Sequence, residues 1–169
     1  EVRRAAQNLL GRPDAEAFGD LLVFLPGMAD IRRAENELRS AFGADVEVLP
    51  LHGDLSKEEQ ARALGPSQKT KIILATNIAE SSVTIPGVNT VLDAGLARIA
   101  SHSHASGLPR LETKAISRAS AIQRAGRAGR TGPGRVLRLY SRGDFEGRPH
   151  QEVPEILRTD LAPVLLDLS

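Results

Sequence analysis

The 169-residue chain contains no cysteine and no tryptophan. The first absence excludes a disulfide framework, a thiolate metal site and a thiol nucleophile, and it fits a reducing compartment. The longest apolar runs, such as LLVFL at 21–25 and IILA at 72–75, fall well short of the ~20 residues a membrane span needs. No basic-then-apolar leader opens the sequence, so a cytoplasmic location without membrane attachment is expected. No glycine is followed by lysine, which excludes a complete G-x-x-x-x-G-K-[ST] phosphate loop within the chain. Neither G-x-S-x-G nor H-E-x-x-H occurs. His102 and His104 form an H-x-H without further ligands nearby in sequence, so no metal site is expected. A hydrolase complete in itself is therefore not expected.

What is present is an ordinary globular composition, 41% hydrophobic and 25% charged, sufficient for one buried core. The chain begins at Glu1 and ends in mid-pattern at DLAPVLLDLS; the expectation is a piece of a longer protein. Its formal net charge of +1 hides an asymmetry: residues 94–148 hold 11 Lys/Arg against 3 Asp/Glu, while residues 1–93 hold 10 against 14. A basic segment between acidic flanks attracts polyanions such as phosphate chains, or else is simply solvated surface.

Short β-rich runs recur at LLVFL (21–25), VEVLPL (46–51), KIILA (71–75), VNTVLD (88–93) and RVLRLY (135–140). They are expected to be strands buried on both faces. Between the first two, Ile31, Ala34, Leu38, Ala41 and Phe42 repeat at helical spacing. Between the next two, Ser56-Lys57-Glu58-Glu59 has the form of a capping box that opens a short helix ending at Gly65-Pro66. Alternating strands and helices predict an α/β domain built on a mostly parallel sheet. In such sheets ligands gather beyond the carboxyl ends of the strands. Two moderately alternating arms flank Ala105-Ser106-Gly107 within residues 98–117, the pattern of a β-hairpin projecting from the sheet. Past Gly147 the chain turns acidic and proline-bearing, so a core domain over 1–147 and a linker with the start of another element over 148–169 are expected.

Two stretches carry chemistry. The first is QRAGRAGR at 123–130, followed at once by TGPG. As a helix, Gln123, Arg127 and Arg130 would share a stripe ~60° wide, with Arg124 ~100° away. Two guanidiniums on one stripe repel unless a polyanion lies between them, and Arg suits bidentate phosphate recognition. The plainer alternative is a solvated basic helix. Gly126 and Gly129 would each cost such a helix ~1 kcal/mol relative to alanine, which favours a close approach by backbone or ligand. The second stretch, ATNIAESSVTIPG at 75–87, gathers hydroxyls at Thr76, Ser81, Ser82 and Thr84 beside Asn77 and Glu80. Such residues also favour an ordinary capped loop-to-helix junction.

Taken in order, LVFLPGMADI, LPLHGDLSKEEQARAL, ATNIAESSVTIPGVNTVLDAGLAR and QRAGRAGR resemble motif IV, the strand and helix that follow it, motif V and motif VI of the second RecA-like domain of DEAH-box superfamily 2 helicases. The likeness is to the bacterial HrpB/HrpA type and spans almost the whole chain. It implies a RecA-like three-layer α/β/α domain with a mostly parallel sheet and a projecting β-hairpin that acts as a wedge or strand guide. It implies an ATP-dependent helicase in the full-length protein, with ATP and Mg2+ bound between two RecA-like domains. The first domain, with the phosphate loop and DEAH carboxylates, would hold most of the metal. Gln123 would then position the attacking water and γ-phosphate, and Arg127 and Arg130 would serve as arginine fingers. Ser82 and Thr84 would face the nucleotide, while Gly27, Thr76 and Asn77 would contact the backbone of single-stranded nucleic acid, RNA before DNA. The end of the chain would enter a winged-helix domain. A non-catalytic nucleic-acid-binding or partner-docking domain, or a DNA-directed motor, remains the alternative.

Overall fold

Five short apolar runs become five strands of one sheet, every pair of them parallel. The computed structural model describes residues 1–10, 19–81, 84–102, 109–128, 130 and 132–154. The order along the chain is α1 (Val2–Leu10), β1 (Asp20–Phe24), α2 (Met28–Phe42), β2 (Glu47–Leu51), α3 (Lys57–Leu64), β3 (Lys71–Ala75) and α4 (Ile78–Ser81). It continues with β4 (Val88–Asp93), β5 (Leu96–His102), β6 (Pro109–Ala115), α5 (Arg118–Ala125), β7 (Arg135–Arg138) and α6 (Arg142–Gly147). The sheet runs β2-β3-β1-β4-β7, with Phe24 opposite both Ala75 and Asp93.

Alternation along the central strands sorts side chains onto two faces. Leu21, Val23, Ile72, Leu74 and Leu92 pack with Ile31, Ala34 and Leu38 of α2 and with Ala5 and Ala6 of α1. Leu22, Phe24, Ile73, Ala75 and Val91 pack with Ala63 of α3, Ala79 of α4 and Ala128. The three-layer α/β/α arrangement follows from that division. A third, smaller cluster of Ala97, Ile116 and Ala121 lies under an antiparallel two-stranded sheet of β5 and β6, the expected hairpin. Its tip at 103–108, with His104, lies outside the described residues, as do Ser82, Gly129 and residues 155–169.

Local signals act where they were expected. Ser56 Oγ accepts from the Glu59 amide at 3.2 Å, and Glu59 returns a carboxylate to the Ser56 amide at 2.9 Å, a complete capping box. At its other end α3 is closed by Lys71, whose buried ammonium donates to the carbonyls of Ala63 and Gly65 and lies 3.3 Å from Asp20.

Two expectations change. Strand β7 is not buried on both faces: Val136 and Leu137 are 39% and 38% exposed. Among the described residues it is an edge strand, with β4 as its one strand neighbour. The QRAGRAGR helix is shorter than expected, because α5 ends at Ala125 with Gly126 as its C-cap. Beyond it the amides of Arg127 and Ala128 donate to the carbonyls of Arg124 and Ala125, both at 3.1 Å, so the chain tightens into three-residue turns. Gly126 therefore sits where a helix stops, and the interior propensity cost does not arise there. The return to β7 is where a close approach matters, since a Cβ on Gly134 would collide with the Ala128 carbonyl.

Gly95 has φ +73°, and a Cβ there would collide with the Tyr140 ring and lie 2.8 Å from Arg148 Nη2. Gly95→Ala is expected to destabilise the chain by at least ~1 kcal/mol, since a left-handed backbone and a steric conflict coincide. A urea unfolding midpoint equal to wild type would contradict this.

Candidate functional site

Parallel strands deliver their C-terminal ends to one edge, and three of the candidate residues stand there. Gly27, just past β1, is buried as the N-cap of α2. Half-buried Thr76 and exposed Asn77 leave β3 directly into α4, with the Ala79 and Glu80 amides donating back to their carbonyls. Because β1 and β3 are paired neighbours, the loops that leave them lie side by side.

Arg98, which the sequence had not singled out, joins them from β5. A Cβ on Gly27 would lie 2.8 Å from Arg98 Nε and 2.9 Å from its Cδ. The glycine thus leaves room for a cationic side chain to cross the start of α2. Asn77, Glu80, Arg98 and Ser120 border a cleft of about 230 Å³ between α4, α5 and the hairpin. A signal did exist in the sequence: Arg98 is one of the basic residues of the 94–148 segment, but no periodicity could tell which of them would reach the sheet edge.

Arg127 and Arg130 gather at a second place. With Leu22, Ile85 and Val88 they line a small cavity, and Arg130 Nη1 donates to Thr84 Oγ1 at 2.8 Å. Burial, and then the positive charge of Arg130, hold the Arg127 guanidinium below its ordinary pKa. Two cations forced together beside a hydroxyl form a donor set suited to an anion with several oxygens. The common helical stripe does not exist, however. Gln123 is exposed on α5 while Arg127 and Arg130 belong to the turns after it, so no single helical face carries the three.

Arg124, expected to point elsewhere, is fully buried. Its Nη1 donates to Asp93 Oδ1 at 2.8 Å and to the Leu96 carbonyl at 3.3 Å, and its Nε donates to Glu80 Oε2 at 3.2 Å. The guanidinium also lies 4.8 Å from the centroid of the Phe24 ring, a cation–π contact. Asp93, 1% exposed, accepts from the Gly95 amide and from the Tyr140 hydroxyl, each at 2.9 Å. This network joins the ends of β4 and β7 to α4, α5 and the hairpin root. Asp93 was legible in principle, because a carboxylate closing an apolar strand needs a partner when buried; which partner was not.

A larger groove of about 430 Å³ lies between α1, α2 and the end of β7. Glu1, Asp30, Glu37 and Asp144 border it against Arg33 and Arg148, and that excess of acid disfavours phosphates. The cleft beside Arg98 is also bordered by Glu80 and Glu152, so the place suited to phosphates is the one around Arg127 and Arg130.

Residues 1–132 match the family model described as the helicase conserved C-terminal domain. The chain belongs to this family. The domain is 44% identical over 154 residues to the ATP-dependent RNA helicase HrpA of Escherichia coli, covering 91% of this chain and 12% of that protein. It is 45% identical over 152 residues to the ATP-dependent RNA helicase HrpB of the same organism, covering 89% and 19%. Against human "Probable ATP-dependent RNA helicase DHX34" it is 44% identical over 171 residues, covering 98% and 15%. The crystal structure of the E. coli DExH-box NTPase HrpB superposes with a TM-score of 0.89 at 42% identity, over 99% of this chain and 20% of that one. This helicase C-terminal domain is of the HrpA/HrpB type and DEAH-box in kind, and it spans less than a fifth of these relatives' lengths. No helix among its described residues is long and apolar enough to cross a membrane.

Tyr140 is the chain's one tyrosine. Burial, and then the Asp93 charge, push its pKa from 10.0 to about 12. A phenol whose pKa is raised on folding stabilises the fold below the unfolded value and ceases to do so as pH rises through the folded one. Tyrosinate absorbance of the folded chain is expected to rise with a midpoint near 12 rather than 10, and stability is expected to fall across that window. In Tyr140→Phe that alkaline loss should shrink. A midpoint near 10 would refute the buried Tyr140–Asp93 contact.

Proposed function

We propose that this domain is the second motor domain of an ATP-dependent helicase that steps along single-stranded nucleic acid, RNA by analogy with the named activities of its relatives. Residues 1–147 form the RecA-like unit and 148–169 lead toward a winged-helix domain. The ATP lies between this domain and a first RecA-like domain of the same full-length chain, which supplies the phosphate loop and most of the Mg2+ ligands. Arg127 and Arg130 act as arginine fingers on the γ-phosphate, Gln123 orients the attacking water, and Ser82 and Thr84 face the nucleotide. Gly27, Thr76 and Asn77 follow the backbone of the strand, in keeping with contacts that position a nucleic acid without reading its sequence.

One observation carries the proposal: two arginines line one small cavity, with Arg130 bonded to Thr84, although like charges at short range repel. An anion whose charge builds up in the transition state relieves that repulsion and is stabilised by it. The protein's own contribution is orientation. Gly126 ends α5 one residue before Arg127, and the passage of Gly134 past Ala128 fixes the turn that carries both fingers.

In the intact protein, Arg127→Ala and Arg130→Ala are each expected to lower ATP turnover by up to ~10³-fold or more, the range of arginine-finger losses, with little change in single-strand affinity. If turnover survives while affinity falls and its salt dependence flattens, the domain is a binding module instead. The 169-residue chain alone is expected to show negligible ATP hydrolysis in a phosphate-release assay; robust turnover would refute a site shared between two domains.

A further inference from the structure

We propose that Arg148 is a positioning residue that sets the β5–β6 hairpin against the motor core and thereby governs duplex separation without governing ATP turnover. The inference rests on the helicase reading above, in which the hairpin acts on the strands.

The geometry is specific. Arg148 is 6% exposed, and its Nη1 donates to the Gly95 carbonyl at 3.0 Å and to the Ile116 carbonyl at 3.4 Å. Those two residues stand directly before β5 and directly after β6, so one guanidinium spans both roots of the hairpin. The root is also closed by the Ile116 amide donating to the Gly95 carbonyl at 3.1 Å. From the other side Asp93 takes the Gly95 amide. Gly95 is thus gripped at both its polar backbone groups, by an acid on the sheet and a base on the segment after α6.

The rest of Arg148 is held as firmly. Its Nε and Nη2 donate to Asp144 at 3.2 and 2.9 Å, and its guanidinium stacks 3.8 Å from the centroid of the Tyr140 ring. Tyr140 in turn donates to Asp93. The residues that follow engage the start of α5: the Arg118 and Ala119 amides donate to the carbonyls of Pro149 and His150 at 2.9 and 3.0 Å, and the Ser117 amide donates to Glu152 Oε1 at 2.7 Å. Residues 148–152 therefore bridge the hairpin root and the N-terminal end of α5, whose other end leads to Gln123 and the Arg127 turn.

Burial alone does not call for arginine here. A buried ion can often be exchanged for an apolar side chain of similar volume without loss of stability. What arginine adds is a rigid planar fork able to hold several acceptors in fixed directions, which the single ammonium of lysine cannot do. That is a device for orientation, and the element it orients is the hairpin.

The test uses the full-length protein, with Arg148→Lys, Arg148→Gln and, as a control on α6, Glu146→Gln, whose partner is Arg142. Three quantities are measured: ATP turnover stimulated by single-stranded RNA, unwinding of an RNA duplex with a single-stranded overhang, and melting temperature. Both Arg148 variants are expected to unwind at least ~10-fold more slowly, as small misplacements remote from the chemistry can cause, with stimulated turnover within about twofold of wild type. Glu146→Gln should track wild type in both. Unwinding unchanged in the Arg148 variants overturns the proposal. So does a parallel loss of unwinding and turnover in step with a lowered melting temperature, which would make Arg148 an ordinary core residue. If wild type itself hydrolyses ATP but separates no duplex, the helicase reading fails first, an outcome distinct from either of these.

Discussion

Arg124 and Asp93 form a buried ion pair at the centre of the molecule, and the candidate sites are arranged around it. Isolated charges in a protein interior are costly, and a pair offsets that cost only when its remaining lone pairs and protons are satisfied. Asp93 meets the condition, with Arg124 and the Gly95 amide on one oxygen and the Tyr140 hydroxyl on the other. Arg124 extends the pair to Glu80 and the Leu96 carbonyl and covers the Phe24 ring. The surface pairs are different in kind. Arg142–Glu146 and Arg62–Glu47 involve largely exposed arginines, and such pairs contribute little to stability.

The pair fixes where functional groups can be. Glu80 lies in the helix that begins just past Thr76 and Asn77, Arg124 sits three residues before Arg127, and Gly95 opens the hairpin. One guanidinium therefore ties the strand-contacting loop, the cationic turn and the hairpin root to the end of β4. Displacing any one of these parts would leave a buried charge without a partner. The second guanidinium, Arg148, repeats the device one layer further out.

The chain spans less than a fifth of the length of the relatives it matches. Its two arginine-bearing places differ. Arg98 crosses Gly27 beside Asn77 at the ends of neighbouring strands, whereas Arg127 and Arg130 cluster beside Thr84 over the layer that contains Leu22 and Val88.

Strands, most helices and the parallel α/β class were legible in the sequence, since hydrophobic runs, capping and turn residues act over a few neighbours. Ser56 with Glu59 and the continuous apolar runs of β1 and β3 are of this kind, and so is the motif order that marks the family. Exposure of β7 was not legible, because an edge and a central strand can share one apolar pattern. Nor was the end of α5 at Ala125, since the turns that follow pack against the returning chain at Gly134, a contact between residues that local periodicity does not connect. The same reason hid Arg98, Tyr140 and Arg148, and it let Gln123, Arg127 and Arg130 look like one helical stripe. Which of many arginines is buried, which faces an open cleft and which clamps a hairpin depends on where distant backbone carbonyls and carboxylates come to rest. Only the tertiary structure decides that, because the desolvation and pairing of a charge are set by its three-dimensional surroundings and not by its neighbours in sequence.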